Sequence, residues 1–559
     1  MEIVEQPVPP SPEEASGPSG GSNGAEPAPR GAAPLHDGAG PKPGLIQRVT
    51  ARVLSDQSLT KKASLNAAAS TAEQVARITV GLLITPFLVS RLGDAAYGIW
   101  QVLQRLIGHA SPASGRPGEA LKWSIAHDQS STDHERKRRQ VGNAVAVWAL
   151  FVPVLALVGG VLAWFSPVWL GVHAASFTTV RLAAGLLVVD AIVFGLLCLP
   201  QAVLQGENLG YKRLGISIML VVASKTVLGV AVYLGFGLVG MGVAEIAGTV
   251  FWGVMYIQIT RSRVAWFGIA KPSFAEVRGF IRLSWWFLVW NLVMQVMNAS
   301  DVTVLGVLTS PALVTTYTLA KYLPQAIIVA VATLIFAVMP GLGGLIGAGQ
   351  LRRAVRIRNE TMSLVWLFTV AAGTTVLAWE RSFLGLWIGE RYYPGAVAIL
   401  LIMLMVFQWS LIRVDSNIID LTLNLRRKVL LGMLSAVLSA GLACVFLSVF
   451  HLGIIGLVIG FMLGRAIQSI AYPLMIGRTL GIPVPDQLRG LVRPGLATAA
   501  LFGVSATVGA VAQAGSWFVL VAGTGTTALV ASVLALAFGL PPRQRRFVWN
   551  RVRRVVRLT

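Results

Sequence analysis

The stretch VFQWSLIRVDSNIIDL, residues 406–421, places Arg413, Asp415, Asn417 and Asp420 inside a run otherwise apolar enough to cross a membrane. At about 100° per residue, Trp409, Arg413, Asn417 and Asp420 share one helix face, and Asp415 points away from Arg413. Further ionisable residues lie in other apolar runs: Arg77, Asp190, Lys225, Glu245, Asp301, Lys321 and Arg465. A charge at the bilayer centre costs at least ~2.5–3.5 kcal/mol, so these side chains must face one another or a wet cavity. Glu73 and Arg77 are spaced i, i+4 and can pair on one helix. Lys225, Lys321, Arg413 and Arg465 have no carboxylate one turn away on their own helix. Together with Arg77 they are the candidate cationic lining of a substrate cavity. Arginine grips a diphosphate through paired hydrogen bonds, while lysine supplies a point charge. Asp190, Glu245 and Asp301 are the candidates for balancing an empty site or for holding a coupling cation, Na+ or H+.

The rest of the sequence carries little other chemistry. No nucleophile–base constellation and no GxxxxGK[ST] phosphate loop occurs. The two cysteines, Cys198 and Cys444, fall in apolar runs and form no CxxC metal motif. No other cofactor is expected. No loop between apolar runs is long enough for a soluble catalytic domain, so an enzyme is not expected.

The elements that must position these charges are membrane helices. Of 559 residues, 55% are hydrophobic and 13% charged, about half the charge of a typical soluble domain. Fourteen apolar spans can be read. The second, at 97–123, is unusually polar, with Arg105, His109, Arg116, Glu119 and Lys122, and Pro and Gly in its middle. A break there is tolerated only where neighbours or a cavity satisfy the freed backbone groups. With both termini cytoplasmic, the inside loops and C-terminal tail hold 28 Lys and Arg, against Arg91, Arg381 and Arg391 outside. Net charge is +22; orientation and contact with anionic membrane lipids account for it, and nucleic acid is not an expected partner. Residues 1–44 hold 10 of the 27 prolines and 8 glycines and read as a disordered, dispensable tail. The stretches at 45–54 and 544–556 are basic and amphipathic, suited to the bilayer surface.

A repeat is visible. GLVGMGVAEIAGT (237–249) and GIIGLVIGFMLGR (453–465) share Gly-x-x-Gly, and Tyr97 and Tyr317 follow at a similar offset. Gly453, Gly456, Gly460 and Gly464 read as close-packing positions. Asn291, Gln295 and Asn298 can serve as interhelical hydrogen-bond glue. The expected fold is an all-α integral membrane protein of 14 transmembrane helices: two six-helix bundles related by a pseudo-twofold along the membrane normal, plus two C-terminal helices. Parallel repeats around a central site are a transporter architecture. The domain reading is a cytoplasmic tail at 1–60, one bundle at 61–260, a linker at 261–283, the second bundle at 284–480, two added helices at 481–540 and a basic cytoplasmic tail at 541–559.

Several stretches resemble the polysaccharide flippases of the Wzx type in the multidrug/oligosaccharidyl-lipid/polysaccharide (MOP) exporter superfamily. They are RLGDAAYGIW, VLQGENLGYKR, NASDVTVLGVLTSPALVTTYTLAKYLPQ, FLGLWIGERYYPGAVAILLIMLM and HLGIIGLVIGFMLGR, spread over residues 60–480. The resemblance implies a MATE-like fold with a central cavity opening alternately to each side. It also implies an undecaprenyl-diphosphate-linked oligosaccharide as substrate, moved to the outer leaflet of a bacterial inner membrane for lipopolysaccharide or other surface glycan. Polysaccharide polymerase or assembly proteins would then be partners. The rival within the superfamily is an ion-coupled multidrug exporter, which would favour an acidic cavity for cationic drugs. A membrane glycan polymerase or ligase is the other rival, but such enzymes carry a large external loop that is missing here.

Overall fold

The computed structural model describes residues 59–545 except 129–130, 208, 210–213, 348, 422–424 and 541–544. The tail at 1–44 and the basic stretches at 45–54 and 544–556, apart from Arg545, lie outside the described residues, as do the side chains of Asn66, Ser70, Asn291 and Asn298.

Among the described residues there are seventeen α-helices and no strand. The first eight are α1 (Leu59–Leu92), α2 (Asp94–Gly108), α3 (Pro117–His127), α4 (His134–Trp169), α5 (Phe177–Leu197), α6 (Leu199–Gly206), α7 (Leu214–Tyr233) and α8 (Gly237–Arg263). Next come α9 (Phe274–Leu308), α10 (Pro311–Ala320), α11 (Tyr322–Gly347), α12 (Leu351–Trp387) and α13 (Ala396–Leu421). The last four are α14 (Leu425–Ser448), α15 (Gly453–Leu480), α16 (Val484–Val511) and α17 (Trp517–Leu534).

Eleven segments are long and apolar enough to cross a membrane, α5 and α6 counting as one, and the bent pair α10–α11 makes twelve. The chain is a multi-pass membrane protein. Of the fourteen expected spans, the seventh, at 284–306, coincides in position with α9. The second is divided into α2 and α3 by a 3-10 turn at Ser111–Ser114 and two residues of positive φ, Gly115 and Arg116. Large apolar side chains such as Leu157, Trp164, Val511 and Phe518 stand exposed on the outer helices, the surface that lipid would cover.

Local chemistry sets the helix boundaries. Asp133 caps α4 by accepting the Arg136 N–H at 2.8 Å. Ser273 and Glu276 form a reciprocal capping box on α9. Pro324 has no N–H to give the Ala320 carbonyl, so the chain breaks at Lys321 and α10 meets α11 at 51°.

Within 59–263, α5 packs on α4 and α8, and α7 on α1 and α8; beyond 274, α15 packs on α13 and α14, and α12 on α11, α13, α16 and α17. A Cβ on Gly460 or Gly464 would meet the Ala443 or Ser439 backbone at 2.3–2.5 Å, so α14 and α15 approach as closely as the sequence predicts. α9 touches both sets, contacting α2 and α4 on one side and α14 on the other.

Candidate functional site

Between the two sets lies a cavity of about 410 Å³. Its polar wall begins with α2. Tyr97, Trp100, Gln101, Gln104 and Arg105 face the hollow, while Val102, Leu103, Leu106 and Ile107 turn into the apolar core. That spacing is an amphipathic helix with its polar stripe turned inward. Lys225 enters from α7, Asp301 from α9, Trp409 from α13 and Arg465 from α15. Lys321 enters at the α10–α11 break, where the kink turns its side chain to the cavity.

The carboxylates hold two of the cations. Lys225 Nζ donates to Glu245 Oε1 at 3.3 Å, and Gln104 Nε2 donates to the same oxygen at 3.4 Å. Asp301, buried, pairs with Lys321 and accepts the Tyr317 hydroxyl at 2.7 Å. Arg465 is only 7% exposed, and its guanidinium lies 5.0 Å from the Trp409 ring centroid and 5.3 Å from that of Phe461. Among the described residues, four cations therefore face two carboxylates, a formal surplus of two positive charges. Trp100, Tyr97, Tyr322 and Trp409 add flat aromatic faces to the lining.

Contacts between the two sets seal one end of the cavity. The Asp94 carboxylate accepts Arg391 Nη2 at 3.3 Å and the Tyr392 hydroxyl, and its backbone carbonyl accepts Thr315 Oγ1 at 2.6 Å. Trp387 Nε1 donates to the Leu82 carbonyl at 2.7 Å. A Cβ on Gly98 would stand 1.8 Å from the Pro311 carbonyl oxygen, so α2 and α10 touch backbone to backbone. Deeper, Tyr322 Oη donates to the Ile78 carbonyl at 2.6 Å.

Of the five cations expected to converge, Lys225, Lys321 and Arg465 line the cavity, and Arg77 and Arg413 do not. Arg77 pairs with Glu73 at 3.1 Å on an exposed face, its side chain 54% accessible. Arg413 is half-buried with its guanidinium 5.9 Å from the Trp409 ring centroid. Among the carboxylates, Asp301 lines the cavity, Glu245 stands behind Lys225, and Asp190 is half-buried on α5 away from the lining. Asp415 and Asp420 have structural partners: Arg358 grips Asp415 in a buried bidentate pair at 2.8–3.0 Å, and Lys428 reaches Asp420 at 2.5 Å. Arg105 and the aromatic lining were not assigned from sequence. The signal was present in the 97/101/104/105 stripe of the polar second span.

No protein-family model and no curated protein sequence matches the chain. Solved structures do. The lipid II flippase MurJ in an inward closed conformation aligns with a TM-score of 0.62 at 13% identity, over 83% of this chain and 98% of that one. An inward-facing multidrug resistance MATE family transporter of the MOP superfamily aligns at 0.57 and 14%, over 78% and 98%. The chain shares the fold of these two proteins. Another MOP superfamily transporter, from Pyrococcus furiosus and described as having a binding pocket of reverse polarity, aligns at 0.52 and 14% over 75% and 96%. At these identities the MOP likeness concerns architecture, and the cavity's own residues must carry the function.

Proposed function

We propose that the protein is a flippase of the Wzx type for an undecaprenyl-diphosphate-linked oligosaccharide, working by alternating access in a bacterial inner membrane. The observation that carries this reading is the cationic, aromatic-lined cavity sealed at one end by the Asp94 contacts. A sugar diphosphate cannot cross hydrocarbon unaided, whereas a polyprenyl tail can remain in lipid. The protein need supply only a wet, charged passage for the head. Arg465, Arg105, Lys225 and Lys321 would meet the diphosphate, and Trp100 and Trp409 would stack on the first sugars. In this scheme the chain crosses fourteen times with both termini cytoplasmic, as the basic loops require. The sealed Asp94 end then faces outward, so this conformation takes substrate from the cytoplasmic leaflet. Among its MOP-fold neighbours is a protein named as a lipid II flippase.

The same fold houses multidrug exporters. The surplus of cations argues against a cationic drug as cargo, because like charge would be desolvated beside like charge.

Proteoliposomes carrying a fluorescent polyprenyl-diphosphate sugar test the reading. Probe should become accessible to an external reagent only when the protein is present, and Arg465→Ala should slow that at least tenfold. Efflux of a cationic dye with no movement of the diphosphate probe would decide for the exporter.

A further inference from the structure

Glu380 has no part in the cavity. It lies on α12, seven residues before the end of that helix at Trp387. Its side chain is 1% exposed, and both carboxyl oxygens are buried without a hydrogen-bond partner among the described residues. The helices around it bring no counter-charge. Between Arg493 and Arg543, across α16 and α17, the sequence holds no Asp, Glu, Lys or Arg. Neither does α11, nor α13 before Arg413, nor α10. Arg465 of α15 is committed to the cavity wall beside Trp409. Arg381, next in sequence, turns outward to Glu390 at 2.5 Å and to the Ala510 carbonyl at 3.0 Å. The remaining titratable neighbour is the phenol of Tyr393.

A carboxylate in that setting would be shut off from bulk solvent, with no hydrogen bond and no cation beside it among the described residues, and the neutral acid is far cheaper. Asp301 and Glu245 differ, because Lys321 and Lys225 already neutralise them.

We propose that Glu380 is a proton-binding site of the α12–α16–α17 group. It holds its proton in this conformation and releases it when α12 shifts enough to admit water from the exposed end that carries Arg381 and Glu390. On release the O–H bond breaks, its electron pair stays on the carboxylate and the proton passes to water; no electron is transferred. A proton is then released and rebound at that one face in each conformational cycle, so the pH there sets how readily α12 moves; this role rests on the transporter reading above.

The test uses the full chain in lipid nanodiscs. Infrared difference spectra of wild type against Glu380→Gln at neutral pH should show a protonated-carboxyl C=O band that moves on deuteration and is missing in the variant. If the difference shows only carboxylate bands, the proposal falls. Should Glu380→Gln not fold, Glu380→Met removes the same band. In proteoliposomes, changing the pH on the face that carries Arg381 should alter movement of the polyprenyl-diphosphate probe in wild type, and that response should fall at least tenfold in Glu380→Gln, with movement itself retained. An equal response in both proteins would overturn the role in the cycle. If wild type moves no probe, the flippase reading fails, and the infrared result still decides whether Glu380 binds a proton.

Discussion

Arg465 and Arg413 read alike in the sequence, each a cation deep in an apolar run with no carboxylate one turn away. Their surroundings separate them, since only Arg465 reaches the cavity. On the flippase reading, Arg465→Ala should cost movement of the diphosphate probe much more than Arg413→Ala at equal protein abundance, and Arg465→Lys should recover part of it because charge returns without the guanidinium fork. Equal losses in the two alanine variants would remove the cavity assignment. Arg358 and Asp415 make a different kind of pair, bidentate and fully enclosed. Asp415→Asn or Arg358→Met alone should destabilise the protein by about 3–5 kcal/mol, because a lone charge stays buried. The double replacement should recover much of that in a thermal melt. Arg358 is one of the 28 basic residues that the sequence places on the cytoplasmic side, and its partner lies 57 positions away. A cation's own helix can be searched for partners by periodicity, but a partner on another helix cannot. For the same reason Lys225 and Lys321 looked unpaired.

Periodicity and apolar length were far more informative about the helices themselves. The long runs from α4 to α8 and from α12 to α17 were legible, and so was the weakness of the second span, which its Pro and Gly residues split into α2 and α3. The kink at Lys321 was hidden inside an apparently continuous run. Pro324 was the only local sign of it, and proline in a membrane helix is common enough to pass unremarked. Gly98 was equally silent, because its role is defined by the Pro311 carbonyl across the interface. Gly98→Ala should push α2 off α10 and unseat the Thr315–Asp94 contact. Greater labelling of a cysteine placed at the neighbouring buried Val314 would report that loosening, and unchanged labelling would mean the helices absorb a methyl group there.

For the molecule as a whole, the contacts at the Asp94 end join the two sets of helices that must part if the cavity is to open there. Asp94→Cys combined with Arg391→Cys, in a chain whose Cys198 and Cys444 are replaced by alanine, allows a short bis-maleimide to bridge that end. Bridged protein should stop transporting while still binding a polyprenyl-diphosphate probe, and full transport after complete bridging would show that this end need not open. The cavity's dimensions carry a further consequence. At about 410 Å³ it lies near the small end of the roughly 300–1,000 Å³ usual for small-molecule pockets. On the flippase reading, an oligosaccharide of several sugars would overfill it, so the pocket would hold only the pyrophosphate linkage and the residue or two attached to it. Such a carrier would be strict about the reducing-end sugar and indifferent to how many units follow, leaving the measurement of glycan length to another protein.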